Sequence, residues 1–509
     1  MPSNKNVHIL ILGASGYMGG NGLISIPHLV TMLEARGYSA RLSVCVDKSI
    51  LGKERAGDWI PLMTYIFKEL QCVPRLLALL EETNQFIESV SNDPIIIYDA
   101  TPTGLHTLHL NILIKTNHPN FTYVGEKPLF SDHSDIVTMK TMYPDLSFYC
   151  EFIEMQNPIF LALRTYLDAE NCKIKHMTFW RAGSSGIKKL IKADRDGVAG
   201  GALFDKAPHD LSITTGILGA ASVKNVDILS ARIGTFLPHQ RFVDTAERLF
   251  LSATNTHVAD ISTDYRRDRI ALPADGLFAA ETRWHVADDC HVAEKSQVTV
   301  DYLFSWLGAT TVQEVPVPQD PMEAHIVKRL ETLGLSRDDW LLRHVEKGPK
   351  TLGPPPHFVE HDDGHTHECL VDDVRIGIID CADRTLVCNF LPKVDPKTKE
   401  TVFPLYIKVF DLSGALVNSI VIDQATLAKQ YRDLKGLFLA RVFDAAFADR
   451  QKIAVAPEIG REAALRVHET LLRLHSKAFD TLGSLRDSDA AFAHARTMTD
   501  NLWWPRPND

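Results

Sequence analysis

A chain of 509 residues is too long for one ordinary core, so two domains with insertions are expected. Its 45% apolar and 23% charged residues are those of a globular protein, and a formal net charge of −10 leaves no basic footprint, which argues against nucleic acid as a main partner. No apolar run approaches bilayer length, and the eight cysteines are scattered without a Cys-x-x-Cys pair, so neither a membrane partner, a disulfide framework nor a thiolate zinc site is expected. The first strand begins within a few residues of Met1, so no signal peptide is expected and the chain reads as cytoplasmic.

Residues 7–12 (VHILIL) form a continuous apolar run ending at Gly13, as a strand buried on both faces does. A helix follows from near Gly16 to before Gly37, then a strand from Arg41 to Asp47. Residues 61–91 have a helical period, with Leu76, Leu77, Leu79, Leu80 and Ile87 as the apolar stripe. Ile95 to Ala100 reads as a buried strand, closed by Thr101-Pro102-Thr103-Gly104. A helix through Leu110 and Ile114 leads to the strand Phe121 to Gly125. A helix over 132–142 and a strand from Leu146 to Ile153 complete this part. Such alternation predicts a Rossmann-type, doubly wound parallel sheet, a domain spanning residues 1–155.

After Pro158 the texture changes. Segments 173–181, 224–235, 277–287, 296–306, 374–381, 385–391, 403–411 and 416–422 read as longer strands with few helices between them. They predict a C-terminal α+β domain, residues 156–480, with an open, mainly antiparallel sheet. Pro-rich and His-rich sequence over 311–370, including Pro354-Pro355-Pro356, reads as an insertion, placed at about 311–400. Residues 458–479 form an amphipathic helix, and 481–509 a C-terminal arm whose Trp503-Trp504 is expected to dock on a neighbouring surface or subunit.

Gly13-x-x-Gly16-x-x-Gly19 follows a buried strand and opens a helix, the context of a dinucleotide turn. A pyrophosphate lying against a helix N-terminus leaves no room for Cβ atoms and meets backbone N–H groups. The spacing departs from Gly-x-Gly-x-x-Gly: Ser15 stands at the second glycine position, where its hydroxyl can donate to phosphate. Gly13, Ser15, Gly16, Tyr17 and Met18 are therefore the candidate phosphate-binding residues. Asp47, closing the second strand, is placed to accept from an adenosine ribose, which favours NAD. Lys48 and Ser49 can instead hold a 2′-phosphate, so NADP stays open.

Moving hydride to or from a secondary carbinol needs a group that exchanges the hydroxyl proton and a cation that stabilises the alkoxide. In Gly125-Glu126-Lys127-Pro128, Lys127 stands at a strand's carboxyl end and supplies that positive charge. In Gly200-Gly201-Ala202-Leu203-Phe204-Asp205-Lys206-Ala207-Pro208-His209, His209 can exchange the proton, an unperturbed imidazole titrating near neutrality, and Asp205, one helical turn earlier on the same face, can orient the imidazole or the substrate hydroxyl.

With these motifs the chain resembles the Gfo/Idh/MocA oxidoreductases, relatives of glucose-fructose oxidoreductase and inositol dehydrogenase. The resemblance also rests on Thr101-Pro102 with His106, Gln156-Asn157-Pro158, Ser305-Trp306-Leu307-Gly308 and the late helix from Glu458. It implies a Rossmann domain followed by an open sheet used for oligomerisation, with Lys127, Asp205 and His209 as the catalytic residues. It further places Thr101, Pro102, His106 and Glu126 along the nicotinamide half of the cofactor. The chain departs from the family in the first turn, in Lys206-Ala207-Pro208 and in about a hundred extra residues. Lys206 is either a second cation in the site or a solvated helix residue. The cations of the loop 181–199 (Arg181, Lys188, Lys189, Lys192, Arg195) form either an anion-binding or a solvated basic loop.

His357, His361, His365 and His367 with Glu360, Asp362, Asp363 and Glu368 include enough ligands for a metal, but a solvated polar loop explains them and no metal is expected. The expectation is therefore an NAD(P)-dependent oxidoreductase, a homodimer or homotetramer, acting on a small sugar, cyclitol or related polyhydroxylated substrate. Two alternatives remain: transient oxidation on tightly held NAD without net redox (cleavage, elimination or epimerisation), and a catalytically silent cofactor-binding regulator.

Overall fold

The computed structural model describes residues 5–13, 26–27, 29–45, 75–77, 80–90, 93–101, 103–116, 118, 120–130, 132–146, 148–183, 202–235, 277–287, 297–305, 320–347, 358–360, 367–391, 393–394, 401–422, 434–447, 459–486 and 502–504. They fall into two units: residues 1–158 with 219–221 and 425–469, and residues 159–218 with 222–424 and 470–509.

The first unit is built on six strands: β1 (Lys5–Leu12), β2 (Tyr38–Cys45), β3 (Arg75–Leu77), β4 (Ile95–Asp99), β5 (Phe121–Gly125) and β6 (Phe148–Cys150). Their order is β3-β2-β1-β4-β5-β6 and every pairing is parallel, the arrangement of a dinucleotide-binding Rossmann sheet. β1 and β4 are the central pair: Val7, Ile9, Ile11, Ile95, Ile96 and Ile97 are fully enclosed, as strands covered on both faces require. Chain order reverses between β1 and β4, so the crevice beyond their carboxyl ends is the topological switch point.

Two elements differ from expectation. Residues 75–77, read as part of a helical stripe, pair with β2 as the edge strand β3, and the helix begins only at Leu80, running to Ser89. A short leucine run satisfies either period, and the open edge of β2 offers it backbone partners. The last strand stops at Cys150 because the backbone folds back there, Phe152 N–H donating to Cys150 O at 2.8 Å, before a 3-10 turn over Ile153–Gln156. The helix Leu434–Phe447, for which the sequence predicts no element and which lies within the span 156–480, belongs to this unit and packs on that turn.

The second unit is a large sheet. Its strands are β7 (Ile174–Gly183), β8 (Val223–Thr235), β9 (Leu277–Val286), β10 (Gln297–Ser305), β11 (Leu342–Lys347), β12 (Phe358–Glu360), β13 (His367–Cys381), β14 (Arg384–Asn389), β17 (Tyr406–Asp411), β18 (Leu416–Val421) and β19 (Leu502–Trp504). β15 (Lys393–Val394) and β16 (Thr401–Phe403) form a separate ribbon. The main path runs β18-β17-β14-β13-β7-β10-β9-β8-β19, and among its described pairings β7–β10 alone is parallel.

One face packs on the helix Ala202–Leu218, where Tyr302 donates to Thr214 at 2.8 Å. A second cluster joins Trp180, Ala279, Leu303, Val374 and Ile376 to Met322, Ile326, Leu330 and Trp340 of the helices Pro321–Thr332 and Arg337–Trp340. Of the segment read as an insertion, β11 to β14 are strands of this sheet, β11 and β12 pairing with β13, and the two helices pack on it, while Lys393–Val394 belongs to the separate ribbon. Trp503 and Trp504, expected to dock on a neighbouring surface or subunit, lie in β19 on the edge of the chain's own sheet beside β8. Among the described residues no helix is long and apolar enough to cross a membrane.

Candidate active site

In the first unit, the carboxyl ends of β1, β4, β5 and β6 are stitched in sequence. Ala100 N–H donates to Leu12 O (3.1 Å), Glu126 N–H to Asp99 O (2.9 Å), and Glu151 N–H to Gly125 O (2.9 Å). Gly13, Thr101 and Lys127 therefore emerge side by side from adjacent strands. Gly13 has φ 70°, and a Cβ there would lie 2.9–3.1 Å from Thr101 and the Ala100 carbonyl carbon, so backbone passes where a side chain would stand. Lys127 is half-buried at the head of a cis Lys127–Pro128 peptide. Ser15, Gly16, Tyr17, Met18, Asp47 and Pro102 lie outside the described residues.

Behind Thr101 stands Asp99, a fully enclosed carboxylate. It accepts from Thr101 N–H (3.0 Å), the Thr101 hydroxyl (2.5 Å), His109 Nδ1 (2.8 Å) and the Tyr123 hydroxyl (2.8 Å). Burial alone would raise this carboxyl. The His109 hydrogen bond, the His106 and His109 rings and the Thr101 hydroxyl outweigh it and hold Asp99 below the usual carboxylate range. His106 is buried and its Nε2 donates to Thr101 O at 2.8 Å, so both it and Asp99 brace the turn that carries Thr101.

Glu126 is turned into a buried cluster. Lys435 of the helix Leu434–Phe447 donates to Glu126 Oε1 (2.7 Å), Glu151 Oε2 (2.7 Å) and the Tyr98 hydroxyl oxygen (2.8 Å), while that hydroxyl contacts both carboxyls. Burial and then the neighbouring Glu126 push Glu151 up to about 8, so Glu151 is the protonated member. Burial opposes ionisation of Glu126 too, but the Lys435 ammonium and the hydrogen bonds from Glu151, Lys435 and Tyr98 carry it below the usual range. Two residues past Lys127, Leu129 N–H donates to Nε2 of the enclosed His468 at 2.6 Å.

In the second unit, Asp205 and His209 sit one turn apart on the helix Ala202–Leu218. Of its seventeen residues they alone are not buried. A helix enclosed on nearly every side thus presents two side chains, an acid and an imidazole. Arg181 of β7 holds the next residue, Asp210, through Nε (3.0 and 3.1 Å) and Nη2 (2.7 Å), a bidentate pair with both side chains 4% exposed. Lys206, whose open choice included a solvated helix position, is 9% exposed. Its ammonium and the Asp373 carboxylate crowd the site where a Cβ on Gly183 would stand.

Of the His-rich stretch, Glu360 and His367 face each other across β12 and β13. His357, His361, Asp362, Asp363 and His365 lie outside the described residues, among which no metal-holding group of His, Cys, Asp and Glu occurs.

Sequence reasoning missed Asp99, His109, Tyr123, Tyr98, Glu151, Lys435 and His468. An acid closing the apolar run Ile95-Ile96-Ile97-Tyr98-Asp99 is a signal for the first of them, and a histidine on the apolar face of the late amphipathic helix for the last. Lys435 carries none.

The first unit thus has the fold of a dinucleotide-binding domain, followed in the second by a mixed, mainly antiparallel sheet. No protein-family model and no curated protein sequence matches the chain. Among solved structures, an NAD binding oxidoreductase from Klebsiella pneumoniae is similar at TM-score 0.52 and 10% identity, over 94% of this chain and 98% of that one. UDP-N-acetylglucosamine 3-dehydrogenase GnnA from Acidithiobacillus ferrooxidans gives TM-score 0.47 and 13% identity over 92% and 97% of the two chains. KijD10, a 3-ketoreductase from Actinomadura kijaniata, gives TM-score 0.48 and 12% identity over 93% and 98%. At such identities the likeness is one of fold, and the Klebsiella structure carries it.

Proposed function

We propose that this chain is an NAD(P)-dependent oxidoreductase of the Gfo/Idh/MocA type, acting on a secondary carbinol or ketone of a sugar, cyclitol or related compound. The observation that carries the reading is the chemistry at the partly buried positions of each unit. Gly13, Thr101 and Lys127 stand on adjacent strand ends at a Rossmann switch point, and Asp205 and His209 are the two residues that the helix Ala202–Leu218 leaves unburied. Gly13 is required by the fold as well, because Thr101 and Ala100 occupy the place of a Cβ there, which keeps the first turn against the end of the neighbouring strand.

A bound nicotinamide supplies the hydride acceptor or donor. His209 removes the carbinol proton, Lys127 stabilises the resulting oxyanion by its charge, and Asp205 orients the imidazole or the hydroxyl. Asp99 and His106 fix the Thr101 turn. Arg181 fixes Asp210 and with it the helix turn bearing His209.

The test is steady-state reduction of NAD and NADP across a sugar and cyclitol panel, with Lys127→Met beside the wild type. Turnover should fall by about 10²-fold or more, the scale of losing one oxyanion-stabilising group, while nucleotide affinity changes far less. An unchanged rate in Lys127→Met would remove the lysine from the chemistry.

A further inference from the structure

Lys435 is used by none of the steps above, yet all three of its N–H donors are committed. They reach Tyr98 at the end of β4, Glu126 just beyond β5 and Glu151 just beyond β6. The ammonium also lies 5.3 Å from the centre of the Tyr98 ring. One cation on a helix more than 280 residues away in sequence, with separations of 284, 309 and 337, ties three adjacent strand ends together.

Such a cluster is not a natural way to gain stability. Desolvating an ammonium and two carboxyls costs several kcal/mol per ion, and apolar residues of the same volume are often as stable. What the cluster does supply is direction. Glu126 is the residue before Lys127, and its side chain is held by Lys435 while its N–H is held by Asp99 O. On the far side Leu129 N–H is held by His468. Lys127 is thereby clamped between two anchored residues.

Resting on the oxidoreductase reading, we propose that Lys435 is a positioning residue for Lys127, acting through the Glu126–Glu151 carboxyl pair. The groups facing Glu151 are Tyr98, Glu126 and Lys435, with the buried Cys150 thiol, kept protonated by burial, beside it in sequence. Glu151 Oε1 is enclosed without a hydrogen-bond partner among the described residues, which suits a neutral acid and not a carboxylate. Below about pH 8 the cluster holds one negative carboxylate, one carboxylic acid and one ammonium. Ionising Glu151 sets a second carboxylate against Glu126, so the charge around the Lys127 anchor changes where Glu151 loses its proton.

The experiment measures Lys127 directly, by competitive trace acetylation and mass spectrometry across pH 6–10, on full-length wild type, Lys435→Met and Glu151→Gln, each checked for folding by circular dichroism. Turnover is measured in parallel. Lys435→Met should change Lys127 labelling and turnover by about twofold to thirtyfold, the usual range of coupling through a packed network, with nucleotide Kd nearly constant. Glu151→Gln, a neutral replacement for a neutral acid, should remove an inflection near pH 8 from the Lys127 labelling profile. Wild-type labelling of Lys127 in both folded variants overturns the proposal. If Lys435→Met does not fold, Glu151→Gln decides, and a wild-type profile above pH 8 overturns it. Altered labelling without turnover on any panel member, wild type included, supports the Lys435–Lys127 link and sinks the oxidoreductase reading instead.

Discussion

Acidification is expected to weaken the first unit through His468, by an amount the geometry sets. The ring is fully enclosed, donates from Nδ1 to Ala464 O (2.6 Å) and accepts Leu129 N–H at Nε2 (2.6 Å), so the fold holds the neutral imidazole. Burial drives its pKa from 6.5 down to about 4. The unfolded chain takes up its proton near 6.5 and the folded chain does not until near 4. Stability present above pH 6.5 is therefore lost as the pH falls toward 4. That interval costs about 2 kcal/mol by pH 5 and about 3 kcal/mol by pH 4.

The assay is urea unfolding at a series of pH values, followed locally by hydrogen exchange at Leu129 because two units need not unfold together. His468→Gln keeps a donor and an acceptor but cannot titrate in this range, so its stability should depend less steeply on pH between 4 and 6.5. Parallel pH dependence in the two proteins, or a His468 ring resonance titrating near 6.5, would refute the reasoning.

Replacing Arg181 by Met leaves Asp210 buried without its bidentate partner, and should cost about 3–5 kcal/mol in urea unfolding of the second unit, whereas Arg181→Met with Asp210→Leu should cost far less; equal losses would show that the pair is not the cause. Gly13→Ala places a Cβ 2.9–3.1 Å from Thr101 and Ala100 at a φ of 70°, so a loss of about 1–3 kcal/mol is expected. A thermal melt and a nucleotide-binding titration check this, and an unchanged melt with unchanged affinity contradicts the close approach.

Much of the framework was legible from local pattern. The run VHILIL ending in glycine, the isoleucines of β4 and the Phe121–Gly125 strand carry apolar residues on both sides of the strand instead of alternating, which occurs where helices cover both faces of a parallel sheet. The longer strands of the second unit announced themselves by length and turn residues, and the placing of Asp205 and His209 one turn apart on a helix by spacing. β3 was misread because three leucine-rich residues contain no period that separates helix from strand.

By itself, then, the sequence determined the order of elements, the parallel character of the first sheet and which residue types stand at its strand ends. These follow from patterns within a window of a dozen residues. Tertiary structure alone decided that Glu126 is turned into a buried cluster, that Asp99 braces Thr101, and that nearly every neighbour of Asp205 and His209 on their helix is enclosed. Those facts depend on partners up to 337 residues away, and on which faces remain uncovered once the helices have packed. A lysine with an ordinary helix sequence around it, such as Lys435, acquires its meaning only when folding brings two acids to it.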